Sequence, residues 1–457
     1  ETPFYRPPDD SAEMKYLRER RQALGGYVPN RPTVHPRDET PAWDDFRKLI
    51  ERDYGKEMST TMGLVRVLER LCKDKQIGRK IVPIVPDESR TFGMEAMFRP
   101  LGIYAHAGQL YEPVDSDQFL YYKEARDGQI LEEGITEAGS MASFIAAGTA
   151  YSQHGINMIP FFIYYSMFGF QRIGDMIWAA NDCRAKGFLI GATAGRTTLN
   201  GEGLQHQDGH SHLNAIAFPS VRAYDPAFHY ETGYIVLDGL RRLYQEGETA
   251  IYYITVHNES YEMPVMPEGA AEGIVRGMYR FRSREVDGSA PAGPRVQLFG
   301  SGAILRCVLE AQELLAEKYQ VASDVWSVTS YTQLRRDAHT CRRWNMLNPS
   351  EPPRQSFVEK SLEGVNGPFV SASDNVRAVA EQLMPFVRGD YFVLGTDGVG
   401  RSDTREALRR HFEVDAACIT VAALYRLSLA GQVPGQVVTQ AIRDFDIHPD
   451  KVDPLFA

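Results

Sequence analysis

The sequence predicts an α/β protein of two domains, each with a mainly parallel sheet covered by helices. Three observations carry this. Short apolar runs that read as buried strands alternate with helical patterns from about residue 80 onward. Those runs are apolar on both faces, as strands buried beneath helices on both sides of a sheet must be. The alternation stops once, at residues 283–295 (SREVDGSAPAGPR), which are small, polar and proline-bearing, and restarts after them. The implied division is an N-terminal arm or linker over 1–40, a first α/β domain over 41–282, a linker over 283–295 and a second α/β domain over 296–457.

Taken in order, residues 1–40 are rich in Pro, Arg and Glu and hold one expected helix, 11–24. Thr40 followed by Pro41 fits a helix N-cap with proline at the first helical position, so a helix is expected from there through Ile50. Residues 59–73 form an amphipathic pattern with Leu64, Leu68 and Leu71 on one stripe. KIVPIVP at 80–86 reads as a buried strand ending at Asp87 and Glu88. Residues 134–150 give a helix apolar on nearly every face, 158–163 and 187–191 give strands, and 171–186 gives the helix between them. Beyond the linker, 296–299 is an expected strand, 303–318 a helix, 323–329 a strand, and 391–394 a later strand followed by a glycine-rich turn.

Composition narrows the function classes. With 50 Lys+Arg against 60 Asp+Glu the net charge is −10, and no basic run of five occurs, which argues against a nucleic-acid surface. The chain of 457 residues is 43% hydrophobic and 11% aromatic, which excludes disorder as its dominant state. The five cysteines (Cys72, Cys183, Cys307, Cys341, Cys418) are odd in number and form no CxxC pair, so a reducing, cytoplasmic setting is expected. The aromatic stretch 158–170 contains Pro160 and is too short to span a bilayer, so no membrane partner is expected. Glu1 opens a polar segment rather than a signal peptide and is not a methionine, so a fragment or a processed product is expected.

Candidate chemistry sits at strand ends, where open α/β sheets bind ligands. Asp87 and Glu88 follow an apolar strand and could bind a cation, accept hydrogen bonds or move protons; the plainer reading is a solvated loop or a helix cap. Glu137 begins a helix without a charge from 138 to 150. A carboxyl at the edge of such a helix is expected to be partly buried, which raises its pKa and lets it trade a proton with a ligand nitrogen. The alternative is a first-turn glutamate stabilised by the helix dipole. The segment 195–212 (GRTTLNGEGLQHQDGHSH) reads as a loop. Its His206, Asp208, His210 and His212 invite a metal reading but fit no common zinc spacing; catalytic or substrate-binding histidines and structural loop histidines are the other readings. Gly300-Ser301-Gly302 is a weak echo of a dinucleotide turn, because Arg306 stands where a small residue is needed. The loop 395–405 (GTDGVGRSDTR) reads as turn chemistry or an interface. The aromatic run 161–170 is core by default, although Phe168 could stack on a flat heteroaromatic ring.

Five stretches together carry a resemblance: PDESRTFGME, QILEEGITEAGS, MIPFFIYYSMFGFQRIGD, GRTTLNGEGLQHQDGHSH and GTDGVGRSDTREALRRHFEVDA, between Pro86 and Ala416. They resemble the thiamine-diphosphate-dependent pyruvate dehydrogenase component of the bacterial homodimeric type. The resemblance implies a pyrimidine-binding thiamine-diphosphate fold followed by a transketolase C-terminal-like domain. It implies pyruvate as substrate, a lipoyl domain of dihydrolipoyl acetyltransferase as acetyl acceptor, a homodimer, and thiamine diphosphate with Mg²⁺ as cofactors. In that family Gly-Asp-Gly and a later Asn hold the metal. Neither is present here, so this chain is expected to supply no metal ligands, and the diphosphate-binding domain is expected on a missing stretch or a separate subunit.

Carried over by position, Glu137 matches the glutamate that hydrogen-bonds the aminopyrimidine and Phe168 the ring packed on it. Asp87, Glu88 and Ile135 match residues lining the pocket, Glu88 with a catalytic part. Tyr165, Arg172 and His206 match polar residues around the substrate. Gln207 stands where an acidic residue is expected, beside His206. The competing readings are another 2-oxoacid dehydrogenase or transketolase-like enzyme, a non-catalytic assembly subunit, and a metal hydrolase built on the His206 loop.

Overall fold

The computed structural model describes residues 5–26, 35–86, 89–114, 122–286 and 293–457. Asp87 and Glu88 lie outside the described residues. The first domain holds a six-stranded sheet in the order Leu131–Glu132, Ile81–Val85, Ile159–Tyr165, Gly187–Ala192, Ile251–Thr255, Val221–Tyr224, with every pair parallel. The central strands are buried along nearly their whole length. Crossover helices make this possible: Glu137–Gln153 packs on Ile159–Tyr165 and on the helix Phe170–Asp182. On the opposite face the helix His229–Leu240 packs against Thr60–Cys72, whose Leu64, Leu68 and Leu71 are buried as their spacing predicts.

The second sheet has five strands in the order Tyr279–Arg284, Ala322–Ser327, Arg295–Gly300, Phe369–Ala372, Tyr391–Leu394. All its pairs are parallel except the first, where Tyr279–Arg284 runs antiparallel to Ala322–Ser327. This edge strand falls within the stretch that the sequence places in the first domain and its linker, so the second sheet starts earlier than expected. The cause is visible in YRFRSR: an edge strand with half-exposed arginines carries no apolar run. Helices Leu305–Tyr319 and Ala416–Leu429 pack together over the sheet.

Caps follow side-chain chemistry. Ser59 Oγ accepts the Met62 amide at 3.1 Å and Ser11 Oγ that of Met14 at 3.3 Å. Thr40 is not a cap. The helix there begins at Trp43, and Asp45 in its first turn reaches back to accept the amide of the N-cap residue Ala42 at 2.8 Å, the reciprocal half of a capping box. Among the described residues no helix is long and apolar enough to cross a membrane.

Candidate active site at the carboxyl edge of the first sheet

Parallel strands deliver their carboxyl ends to one edge, and the loops leaving that edge build the cluster. The strand Ile159–Tyr165 ends in a single tight turn, Ser166–Phe168, before the helix Phe170–Asp182. Gly169 permits this reversal: a Cβ there would lie 2.3 Å from the Tyr164 ring, which is fully buried. Phe168 is thereby held half-buried at the sheet edge.

The loop that leaves Gly187–Ala192 brings His206 to the same place. Its ring lies 4.8 Å from that of Tyr165 and 5.1 Å from that of Phe168, edge to face. Phe92 closes the other side of Tyr165 at 5.4 Å. His206 Nδ1 is buried without a hydrogen-bond partner among the described residues. An orphaned imidazole nitrogen beside two aromatic rings is a position set up to meet a polar ligand.

Glu137 enters from the helix Glu137–Gln153, whose N-cap is Thr136; Thr136 Oγ1 accepts the Gly139 amide at 3.2 Å. Its residue is 6% exposed, so the expectation of partial burial holds. The partner was not expected. Arg172 Nη1 donates to both carboxylate oxygens, at 3.0 and 2.9 Å, and the same guanidinium lies 4.0 Å from the centre of the Phe168 ring. Ile135 is 77% exposed, one residue before the cap. The described members Glu137, Tyr165, Phe168, Arg172 and His206 therefore form one continuous cluster, with Ile135 at its rim.

Sequence reasoning missed what holds the cluster. Asp208 is buried; it accepts the Ser166 hydroxyl, the His210 amide at 2.9 Å and the Ser211 amide at 3.0 Å. It ties the His206 loop to the Phe168 turn. Burial opposes its charge, but His210 and these hydrogen bonds outweigh it and hold its pKa below the ordinary 3.8. Asp208 had been grouped with the histidines as a possible metal ligand. Among the described residues no three His, Cys, Asp or Glu side chains converge on a metal position. His210 turns instead to Gln171 at 3.0 Å, and His212 to Thr255 at 2.9 Å.

Gln207 has its own local reason. Its amide nitrogen donates to the carbonyls of Leu199 at 2.8 Å and Arg401 at 2.7 Å, while its oxygen accepts the Arg401 amide at 2.8 Å. A carboxylate could not make the first two bonds. This stitches the loop 195–212 to the loop 395–405, aided by Arg196, which donates to the carbonyls of Thr396 at 2.9 Å and Gly398. The loop 395–405 thus packs as an interface. Ser301 and Gly302 do similar work: the Ser301 hydroxyl donates to Asp225 at 3.0 Å, and Gly302 has φ +49 with no room for a Cβ beside Asp225 and His257.

Two mainly parallel sheets in tandem, with the candidate cluster at the carboxyl edge of the first, define a transketolase-like fold. The chain superposes on transketolase from Campylobacter jejuni with a TM-score of 0.59 at 16% identity, covering 91% of this chain and 51% of that one. It superposes on a split-gene transketolase, solved as an inactive β4 tetramer, with a TM-score of 0.54 at 16% identity, covering 81% of this chain and 99% of that one. Sequence is more specific. Residues 39–264 match the pyruvate dehydrogenase E1 component middle domain, and residues 277–415 match the transketolase-like C-terminal domain. The pyruvate dehydrogenase E1 component of Pseudomonas aeruginosa is 53% identical over 99% of this chain and 51% of its own length. That of Escherichia coli K12 is 52% identical over 100% of this chain and 51% of its own length. The chain belongs to the pyruvate dehydrogenase E1 family and spans about half the length of the curated relatives it matches.

Proposed function

We propose that this chain forms the aminopyrimidine-binding half of a thiamine-diphosphate-dependent pyruvate dehydrogenase. The complete enzyme decarboxylates pyruvate and passes the acetyl group to a lipoyl group of its acyltransferase partner, as a cytoplasmic homodimer. The observation that carries the reading is the buried Glu137 carboxylate close to the half-buried Phe168 ring, through the Arg172 that touches both, with a His206 nitrogen that has no partner among the described residues beside it. A buried carboxylate next to an aromatic face fits a flat, basic heteroaromatic ring. The relatives near 50% identity carry the pyruvate dehydrogenase name, which favours that chemistry over the transketolases, whose likeness is one of fold.

Thiamine diphosphate, when bound, supplies the electron sink for decarboxylation. Glu137 hydrogen-bonds the aminopyrimidine N1′ and shares a proton with it. Arg172 is 49% exposed at its side chain, so it can give up one Glu137 oxygen to that nitrogen while remaining paired with the other. Phe168 packs on the ring. His206 and Tyr165 face the space beyond Phe168, where they orient the substrate's carbonyl and carboxylate. Asp208 and Ser166 act through His206 and Phe168 as positioning residues. Ile135 lies at the rim of the pocket, and Asp87 and Glu88, outside the described residues, are assigned to it by their position in the family motif alone. The Mg²⁺ and diphosphate are held by the family's diphosphate-binding domain, outside these residues.

This division is testable by titration calorimetry with thiamine diphosphate and Mg²⁺. The chain alone should bind very weakly and be inactive on pyruvate. Adding a polypeptide that carries the Gly-Asp-Gly…Asn domain should produce tight binding and turnover. Tight, Mg²⁺-dependent binding by the chain alone would overturn the assignment of the diphosphate site to another stretch.

A further inference from the structure

The amino edge of the first sheet, opposite the candidate active site, carries a second constellation. A cavity of about 400 Å³ opens between the residues leading into the strands Val221–Tyr224 and Ile251–Thr255 and the helix Tyr331–Leu347 of the second domain. Four guanidinium groups line it, Arg222, Arg242, Arg276 and Arg336, against two carboxylates, Glu248 and Asp337. In a chain of net charge −10 this local excess of cation runs against the overall balance.

The carboxylates are already committed. Glu248 accepts from both Arg222 and Arg242, the latter at 2.6 Å. Asp337 accepts Arg276 at 3.2 Å, with Glu272 on the far side of the same guanidinium at 3.3 Å; Asp238 lies 3.9 Å behind Arg242. Among the described residues Arg336 has no carboxylate partner. Its guanidinium donates to the Phe218 carbonyl at 2.7 Å, to that of Val221, and more weakly to the Gln333 side chain at 3.5 Å. Arg222 Nε is buried and has no hydrogen-bond partner among the described residues. Burial and the neighbouring Arg222 and Arg335 pull the Arg336 pKa down to about 10, so it remains charged at neutral pH while facing like charge.

A structural staple between the domains would need donors for the two carbonyls, and neutral side chains supply those. Placing a further cation beside three others costs free energy unless something negative meets it. The size falls within the range of small-molecule sites, roughly 300–1,000 Å³. Planar guanidinium forks match the oxygens of a phosphoryl group, and Thr249 and Thr340 add hydroxyl donors to the wall.

We propose that this cavity binds a small phosphoryl-bearing anion, at a site separated from the candidate active site by the length of the sheet. Phosphoryl and polycarboxylate ligands share the oxyanion chemistry, and the diphosphate and citrate arms of the test separate them. The assignment does not depend on the proposed activity.

The test uses the full chain, with inorganic diphosphate, inorganic phosphate and citrate as probes, read by calorimetry and by the thermal unfolding midpoint. Diphosphate should bind saturably, and more tightly than citrate. Q333E places a carboxylate beside Arg336, where a glutamine oxygen already sits, so the fold should be kept while diphosphate affinity falls at least roughly tenfold. R336Q should lose affinity similarly; if it fails to fold, Q333E alone decides. Failure of the wild-type chain to bind diphosphate, or unchanged affinity in Q333E, overturns the site. Tighter binding of citrate than of diphosphate overturns its phosphoryl character.

Discussion

Two polar clusters lie at the carboxyl edge of the first sheet, and they are satisfied to different degrees. One is the Glu137–Arg172–Phe168–His206 group. It is partly open; among the described residues it leaves an imidazole nitrogen without a partner, and its ion pair joins a buried carboxylate to a half-exposed arginine. The other lies deeper, between the domains. Asp225 accepts His257 Nε2 at 3.0 Å, Thr255 at 2.7 Å, Ser301 at 3.0 Å and Asn375 at 3.3 Å. Beside it Asp374 accepts the amides and hydroxyls of Thr197 and Thr198, at 2.6–3.1 Å. All these carboxylate oxygens are used, and the donors come from both domains. The physical lesson is that a buried polar group with all its bonds made specifies packing, whereas one left short, beside an open aromatic face, is available to a ligand.

The comparison separates two classes of variant. In the complete enzyme E137Q keeps volume and fold but removes the ionisable group, so turnover should fall by roughly two to four orders of magnitude. The unfolding midpoint should stay near that of the wild type. Near-normal turnover would remove Glu137 from the chemistry. D225A should do the reverse in the isolated chain. It strands the His257 ring and the Asn375 and Ser301 donors in a dry interface, and should cost about 3–5 kcal/mol of stability by chemical denaturation. A loss under about 1 kcal/mol would mean that water or another side chain replaces the carboxylate.

How much of this was legible in the sequence differs between the two clusters for a physical reason. Strands and helices with strong apolar runs, such as Ile81–Val85 and Glu137–Gln153, announce themselves because burial and periodicity are local. The edge strand Tyr279–Arg284 does not, since its outward arginines break the pattern. Members of the open cluster sit within or beside family motifs, so resemblance pointed to them. The link of Arg172 to Glu137, 35 residues apart, was not readable, because a surface arginine has many possible acceptors. The deeper cluster was almost invisible: Asp225 reaches Asn375 across 150 positions and Asp374 reaches Thr197 across 177. A lone Asp or His in an apolar stretch states only that it needs a partner, not which one. Gln207 shows the same limit. Its amide looked like a change of charge beside His206, and its neighbours show a residue that must donate twice.

The subtlest consequence of the contrast is in pH dependence. Burial opposes the charge on Asp225, yet the hydrogen bond and charge of His257, with help from His212 and Thr255, leave its pKa well below the ordinary 3.8. Burial also opposes a proton on His257, but the hydrogen bond to Asp225, its charge and that of Asp374 raise the pKa above 6.5. The second ring nitrogen faces the Ala194 carbonyl at 3.1 Å, so both nitrogens have acceptors and the doubly protonated ring is satisfied. A depressed acid contributes stability that is complete above 3.8 and is lost as pH falls through the folded value. A raised histidine contributes stability that is complete below 6.5 and is lost as pH rises through the folded value. D225N removes both contributions while keeping the shape. The gap in denaturation midpoint between wild type and D225N should therefore be widest between pH 3.8 and 6.5 and should narrow on either side. Groups that titrate alike in both proteins cancel from the difference. A gap that stays constant from pH 6.5 to about 9, instead of narrowing, would show that His257 is neutral in the folded chain, and that the interface is held by neutral hydrogen bonds alone.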